Sequence, residues 1–227
     1  MLLLTFRKCD IVNPVIENND KTLEDDDMET ELLSLMKQRR SIYNLGKKVN
    51  QSQEDITEML KDVIKESPSA FNSQTTRVVF AFGDAHEKVW DIVLDELKKV
   101  APAEAFEGSK QKVEQQFKAG FGTILWFTDM DKVKELEDGF PLYADNFYDW
   151  SEQHIGNSQF AAWTALAENN LGASVQHYNP LIDDSIAKAF DLPSNWRLRS
   201  EMPFGSIESA ADDKDYMDDE DRFKTID

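Results

Sequence analysis

Two short runs of β-branched and aromatic residues constrain this chain most: Arg77-Val78-Val79-Phe80-Ala81-Phe82 and Thr123-Ile124-Leu125-Trp126-Phe127-Thr128-Asp129. Each reads as a buried strand, and the first is closed by Gly83-Asp84. ASVQHY (173–178) and RLRSEMPFGSI (197–207) read as two more strands. Helical periodicity fills the intervals. Ser52-Gln53-Glu54-Asp55 resembles a capping box opening a helix from Ile56 to Lys65, with Ile56, Met59, Leu60, Val63 and Ile64 on one face. Other helices are expected from Met28 through Leu32, Leu33, Leu35 and Met36, around 85–100, at 109–119, after Tyr143 to Gly172, and over DDSIAKAF. Four strands among six or more helices, in irregular order and without a repeat, imply an α+β fold in which helices cover a sheet.

Composition narrows the partners. The chain has 227 residues, 41% of them hydrophobic, enough for one large domain or two small ones. A formal net charge of −19 repels nucleic-acid phosphates and an anionic membrane surface alike. No apolar run approaches the ~20 residues needed to span a bilayer, and MLLLTF is too short for the core of a signal peptide. The lone Cys9 excludes an internal disulfide and a Cys-x-x-Cys pair. An acidic cytoplasmic protein is the expectation. Residues 1–27 lack apolar periodicity and end in an acidic run, so they read as a disordered leader. Either a true start at Met28 follows an upstream extension, or the segment is a solvated tail. Residues 28–227 then form a single domain.

Several chemistries find no support in the motifs. There is no Walker-type phosphate loop, and Gly120-Phe121-Gly122 precedes a strand instead of joining strand to helix. Gly156-Asn157-Ser158-Gln159-Phe160 lacks the second glycine of a nucleophile elbow. His86, His154 and His177 fall in different elements without His or Cys partners, so no metal site is expected. What remains is a set of groups suited to a large planar anion. Arg39-Arg40-Ser41, at a helix end, offers two guanidinium forks and a hydroxyl, or else plain surface charge. Tyr43 stacks, hydrogen-bonds or packs in the core. SPSAFNSQTT (67–76) crowds hydroxyls and amides into the approach to a strand, as turn chemistry or as ligand contacts. Gln176 and His177 stand at a strand end.

Taken together, Arg39-Arg40-Ser41-Ile42-Tyr43, Ser67-Pro68-Ser69-Ala70-Phe71-Asn72-Ser73-Gln74, Gly172 through Asn179, and Met202-Pro203-Phe204-Gly205 resemble the nitroreductase family. The resemblance is to the subgroup of the fungal fatty-acid-repression-mutant protein and its small bacterial relatives, over about residues 28–224. It implies an intertwined homodimer around a helix-covered antiparallel sheet, with FMN bound between subunits. Arg39, Arg40 and Ser41 would then grip phosphate, with Tyr43 beside them. Ser67, Ser69, Asn72 and Gln74 would reach the ribityl chain and ring edge of the flavin held by the other chain. Gln176 and His177 would lie along the ring. Family members often end with a Lys-x-Arg pair at the phosphate. Here Lys214 is followed by Asp215-Tyr216, which leaves Lys214 and a substitute, Arg222. The family's activity implies hydride transfer from NADH or NADPH to FMN and on to a nitroaromatic, quinone or similar acceptor. A flavin-binding regulatory or storage protein is the alternative.

Overall fold

A computed structural model describes residues 30–227 of the chain; the expected leader, and Met28, lie outside the described residues. In chain order the elements are α1 (Glu31–Gln38), β1 (Leu45–Gly46), α2 (Gln53–Lys65), β2 (Thr76–Phe82), α3 (Gly83–Val100), α4 (Ala103–Lys112), β3 (Gly122–Asp129), α5 (Met130–Gly139), α6 (Phe147–Glu168), β4 (Leu171–Ala173), α7 (Asp183–Ala189), β5 (Trp196–Ile207) and α8 (Asp219–Arg222). Short 3-10 helices stand at Ala70–Asn72 and Pro141–Asn146, and a π turn at Val113–Phe117 ends α4.

β3 organises the sheet. All eight of its residues are buried, and it pairs antiparallel with β2 on one side and β5 on the other. The strand order is β1-β5-β3-β2, with β4 also antiparallel on β5. Successive side chains of β3 point to opposite faces. Ile124 and Trp126 enter a core with Ile56 and Leu60 of α2 and Ile155, Ala162 and Leu166 of α6. Leu125 and Phe127 enter a second core with Val89, Trp90 and Val93 of α3 and Ile182 and Ile186. Helices therefore cover both faces, as the α+β reading expects.

β5 stays in step with both cores through a bulge. Trp126 pairs with Ser200 and Phe127 with Leu198, so Arg199 is one residue too many. The extra residue reverses the strand's parity. Leu198 consequently faces the second core, while Met202 and Phe204 face the first.

Local chemistry accounts for the element ends. Ser52 Oγ accepts from the Asp55 amide at 3.0 Å and donates to the Asp55 carboxylate at 2.6 Å, starting α2 at Gln53. Asp129 closes β3 and opens α5. Its Oδ1 accepts from the Lys132 amide (3.1 Å) and Asn195 Nδ2 (2.8 Å), and its Oδ2 accepts from Arg77 (2.7 Å). In the second core His86 is sealed from water with both ring nitrogens matched. Nε2 meets the Lys118 carbonyl at 3.1 Å, and Nδ1 meets Thr123 Oγ1 at 2.8 Å. Thr123 Oγ1 also accepts from Trp90 Nε1 at 2.9 Å. Burial holds His86 below the usual histidine range.

Some expectations need correction. β2 is an edge strand, and only Ala81 in it is buried, so the Arg77–Phe82 run is half covered where the sequence reads as core. The third strand lies earlier than ASVQHY, at Leu171–Ala173; beyond it a single bridge joins Gln176 to Glu201. The helix expected at 109–119 starts at Ala103. β1 and α5 were not anticipated: β1 has two residues, and α5 buries Val133 alone in an otherwise charged segment. Among the described residues, no helix is long and apolar enough to cross a membrane.

The backbones approach closely where β1 meets β5. A Cβ on Gly205 would collide with the Gly46 carbonyl and lie 2.9 Å from the Phe121 amide, two backbone atoms held by the sheet. Gly205→Ala should therefore cost about 1–3 kcal/mol or more, as overpacking does, and lower the thermal midpoint by several degrees. Gly108→Ala, on α4 with open space around it, should leave the midpoint unchanged or raise it.

Candidate functional site

The end of α1 is tied to the long helix α6. Gln38 Nε2 donates to the Ala167 carbonyl at 2.6 Å, and the Arg39 amide caps the Leu35 carbonyl at 2.8 Å. The chain then runs extended beside β4: Ser41 bridges Ala173 in parallel, and the Ile42 amide donates to the Ala173 carbonyl at 2.9 Å. This course carries Arg39, Arg40, Ser41 and Tyr43 onto one wall of a cavity of about 410 Å³, and Lys214 closes it from the C-terminal segment.

The donors in this cavity are incompletely matched. The Arg39 guanidinium lies 4.6 Å from the ring centroid of Trp163 on α6. Its Nε is buried and has no hydrogen-bond partner. Burial, and then the charge of Arg40, hold Arg39 below the usual arginine range. Arg40 donates to the Asp212 carbonyl at 2.5 Å. Tyr43 is exposed, with the Lys112 ammonium 5.6 Å from its ring centroid. Two guanidinium groups, an ammonium and a hydroxyl face one space, a donor set suited to a multiply charged oxyanion. Asp212 and Asp213 on the same wall offset part of that charge.

The second group of candidates lies elsewhere on the chain. Ser67 Oγ donates to the Val63 carbonyl at 3.0 Å, and Ser67 borders an apolar groove between α2 and α6. Ser69 Oγ accepts from the Gln74 amide at 3.1 Å, and Gln74 Nε2 donates to the Asn72 carbonyl at 3.4 Å. Phe71, Asn72 and Gln74 all adopt left-handed backbone, with φ of 57°, 49° and 47°. Such strain in non-glycine residues concentrates at functional sites. Phe71 holds the segment by its ring, which meets Phe140, Tyr143, Phe147 and Trp150 at centroid distances of 5.0–5.9 Å. Asn157 of α6 donates to the Pro68 carbonyl at 3.0 Å. None of Ser67, Ser69, Asn72 and Gln74 lines the arginine cavity. Nor does Arg222, which lies over the ring of Phe223 at 5.3 Å.

The third group adjoins the first through β4. Gln176 exchanges backbone hydrogen bonds with Glu201 at 2.7 and 3.0 Å, and its Nε2 donates to Ser174 Oγ at 3.0 Å. His177 Nδ1 lies 3.2 Å from the Arg199 carbonyl and carries the proton in that contact. Glu201 itself was not singled out from sequence. Its carboxyl is fully buried, accepts from the Tyr178 amide at 2.9 Å, and is pushed by that burial up to about 8. The available signal was a carboxylate set within an apolar strand, Ser200-Glu201-Met202. Trp163 was missed as well, because a tryptophan on a helix reads as core until its partner is known.

Known proteins resemble this chain in sequence and fold. The model of the nitroreductase family matches residues 36–206. The nitroreductase CinD of Lactococcus lactis, solved with nicotinic acid, is 49% identical and superposes with a TM-score of 0.80 over 86% of this chain and 100% of its own. The same protein has been solved with chloramphenicol and with 4-nitrophenol. Nitroreductase FRM2 of Saccharomyces cerevisiae is 31% identical over 187 residues, 82% of this chain and 92% of its own. A nitroreductase of Desulfitobacterium hafniense with bound FMN shares the fold at 12% identity, with a TM-score of 0.66 over 88% of this chain and 100% of its own. By sequence and by fold, this chain belongs to the nitroreductase family.

Proposed function

We propose that this chain is an FMN-dependent oxidoreductase that takes hydride from NADH or NADPH and delivers it to a nitroaromatic, quinone or similar acceptor in alternating half-reactions. The observation that carries this reading is the cavity on whose walls Arg39, Arg40, Ser41 and Lys214 converge, three cationic groups and a hydroxyl around one space. FMN supplies the redox chemistry when bound. Arg39, Arg40, Ser41 and Lys214 would hold its phosphate, with Tyr43 on the same wall. Gln176 and His177 would border the ring, one strand away across the Ser41–Ala173 bridge. Donors there favour the negative charge of a reduced flavin. The FMN in the D. hafniense structure supports the cofactor. The small aromatic ligands of the L. lactis protein, two of them nitro compounds, support the acceptor class. A chain with one cysteine suits the reducing cytoplasm, the compartment we propose.

The working unit in this proposal is a homodimer. The strained segment from Ser67 to Gln74 carries its amides on a part of the chain that does not line its own arginine cavity. A partner's flavin gives those groups a ligand, and C2 symmetry makes two such sites.

Purified protein should show an oxidised-flavin spectrum that NADH or NADPH bleaches rapidly without oxygen. Bound flavin that neither nicotinamide reduces would mark a storage or regulatory protein instead. Losing a charge-assisted hydrogen bond costs about 1.5–3 kcal/mol, or one to two decades of affinity. Arg39→Ala and Arg40→Ala should therefore weaken FMN by that much while leaving riboflavin, which lacks the phosphate, nearly unchanged. Equal weakening of both ligands would assign the arginines to folding. For the shared site, an Arg39→Ala/Arg40→Ala chain is mixed with an Asn72→Gly/Gln74→Gly chain, glycine being at ease in the left-handed backbone. Each should be inactive alone, and subunit exchange should restore up to about half of wild-type activity per heterodimer, one of two sites being whole. A mixture that stays inactive despite proven exchange would place each site within one chain.

A further inference from the structure

Glu201 is fully buried on β5, between Leu125 of β3 and the segment that carries Gln176 and His177. Three hydrogen bonds fasten that segment to this one residue. Two are the backbone pair with Gln176, and the third runs from the Tyr178 amide to Oε2 at 2.9 Å. The other carboxyl oxygen, Oε1, is buried with no partner. The charged and titratable groups around it supply no counter-ion. Arg199 is engaged by Glu152 at 3.0 and 2.8 Å, and Arg197 lies 5.4 Å from the ring centroid of Tyr148. His177 turns to the Arg199 carbonyl. Tyr178 is a half-buried phenol, pushed up to about 12 mainly by that burial. Asp183, at the start of α7, is a second acid whose charge opposes ionisation of Glu201. Asn179 Oδ1 and Asp183 Oδ1 are also buried acceptors without a donor. A carboxyl sealed from water, without a cation and under the influence of a second acid, keeps its proton.

We propose that Glu201 is a positioning residue: held neutral, it seats Tyr178 so that Gln176 and His177 stay aligned on the flavin, and its ionisation disfavours flavin reduction in alkaline solution. The second half follows from charge. A reduced flavin carries negative charge, and a neutral acid behind the ring segment leaves that charge unopposed. A carboxylate in the same place repels it through a medium with little screening. The proposal rests on the reading of Gln176 and His177 as ring neighbours.

Two measurements test it separately. The first needs no flavin. Between the unfolded value of 4.5 and the folded value of about 8, the folded chain keeps a proton that the unfolded chain releases, so wild-type stability falls as pH rises through that window. Glu201→Gln cannot titrate. Its thermal midpoint should gain on wild type from pH 6 to 8, and the gap should then level off. A gap that does not change with pH overturns the neutral carboxyl. The second measurement is the midpoint potential of bound FMN against pH. Wild type should show a break near pH 8, with a steeper fall above it, and Glu201→Gln should lose the break. Glu201→Ala removes the seat for Tyr178 as well and should weaken riboflavin about tenfold where Gln does not. A break that persists in Glu201→Gln overturns the proposal. So does its absence from wild type, a result that needs no variant to fold. Protein that takes up no FMN overturns the flavin reading beneath it, recognisably so, because the thermal gap still appears.

Discussion

Burial of β3 on both faces governs how the neighbouring strands and the helices of the two cores pack. Its eight residues are covered, yet the two sets of side chains it projects belong to different cores, one beneath α2 and α6 and the other beneath α3 and α7. A strand of this kind fixes its neighbours' register strictly, since a slip of one residue would exchange the two cores. β5 satisfies that demand only by inserting Arg199 as a bulge. The bulge is also what lets Glu201 project into the second core, opposite Leu125, at the point where the chain crosses at Gln176.

The candidate site grows out of groups that this packing leaves unmatched. Arg39 is drawn toward α6 by the Trp163 ring and by the Gln38–Ala167 hydrogen bond one residue earlier, but its Nε finds no acceptor in the chain. The guanidinium is thereby held at the wall of the cavity beside Arg40, Ser41 and Lys214, where an anionic ligand can meet it. In the second core the contrast is instructive. His86, Thr123 and Trp90 use one another and a backbone carbonyl so completely that nothing is left over for chemistry. Similar polarity therefore has opposite meaning in the two places. The difference lies in whether every donor and acceptor is matched within the chain.

What was legible in the sequence tracks the range of the forces involved. β3, the Ser52 cap of α2 and the arginine run at the end of α1 are written in adjacent residues, and each appears where local chemistry puts it. α5 was not legible, because it is held by a cap from Asp129 and one buried valine, and its remaining charge looks like loop. β1 is two residues long and exists because β5 lies beside it. β2 misled in the other direction: Val78, Val79 and Phe80 have core composition, but the strand lies at the end of the sheet order and stays half covered. Among the site residues, Arg39, Arg40, Ser41, Tyr43 and Lys214 meet in space, although 170 residues of sequence lie between Tyr43 and Lys214. Family resemblance pointed to both ends of that gap. The roles of Trp163 and Glu201 depend on what lies across from them, which no local pattern records.

The segment from Phe71 to Gln74 joins these themes. Three left-handed residues within four positions are costly unless surrounding contacts hold them there. Phe71 provides that hold by setting its ring among four aromatics contributed by the approach to α6 and by α6 itself. Phe71 remains 51% exposed even so, and the amides of Asn72 and Gln74 point to little in their own chain beyond a hydrogen bond at 3.4 Å. A rigid, strained turn with exposed aromatic surface and idle amides is poorly explained as a solvent-facing loop, where relaxation would be free. In the proposed homodimer it becomes a preformed edge for the partner's flavin, with the ordering cost met during folding instead of at each binding event.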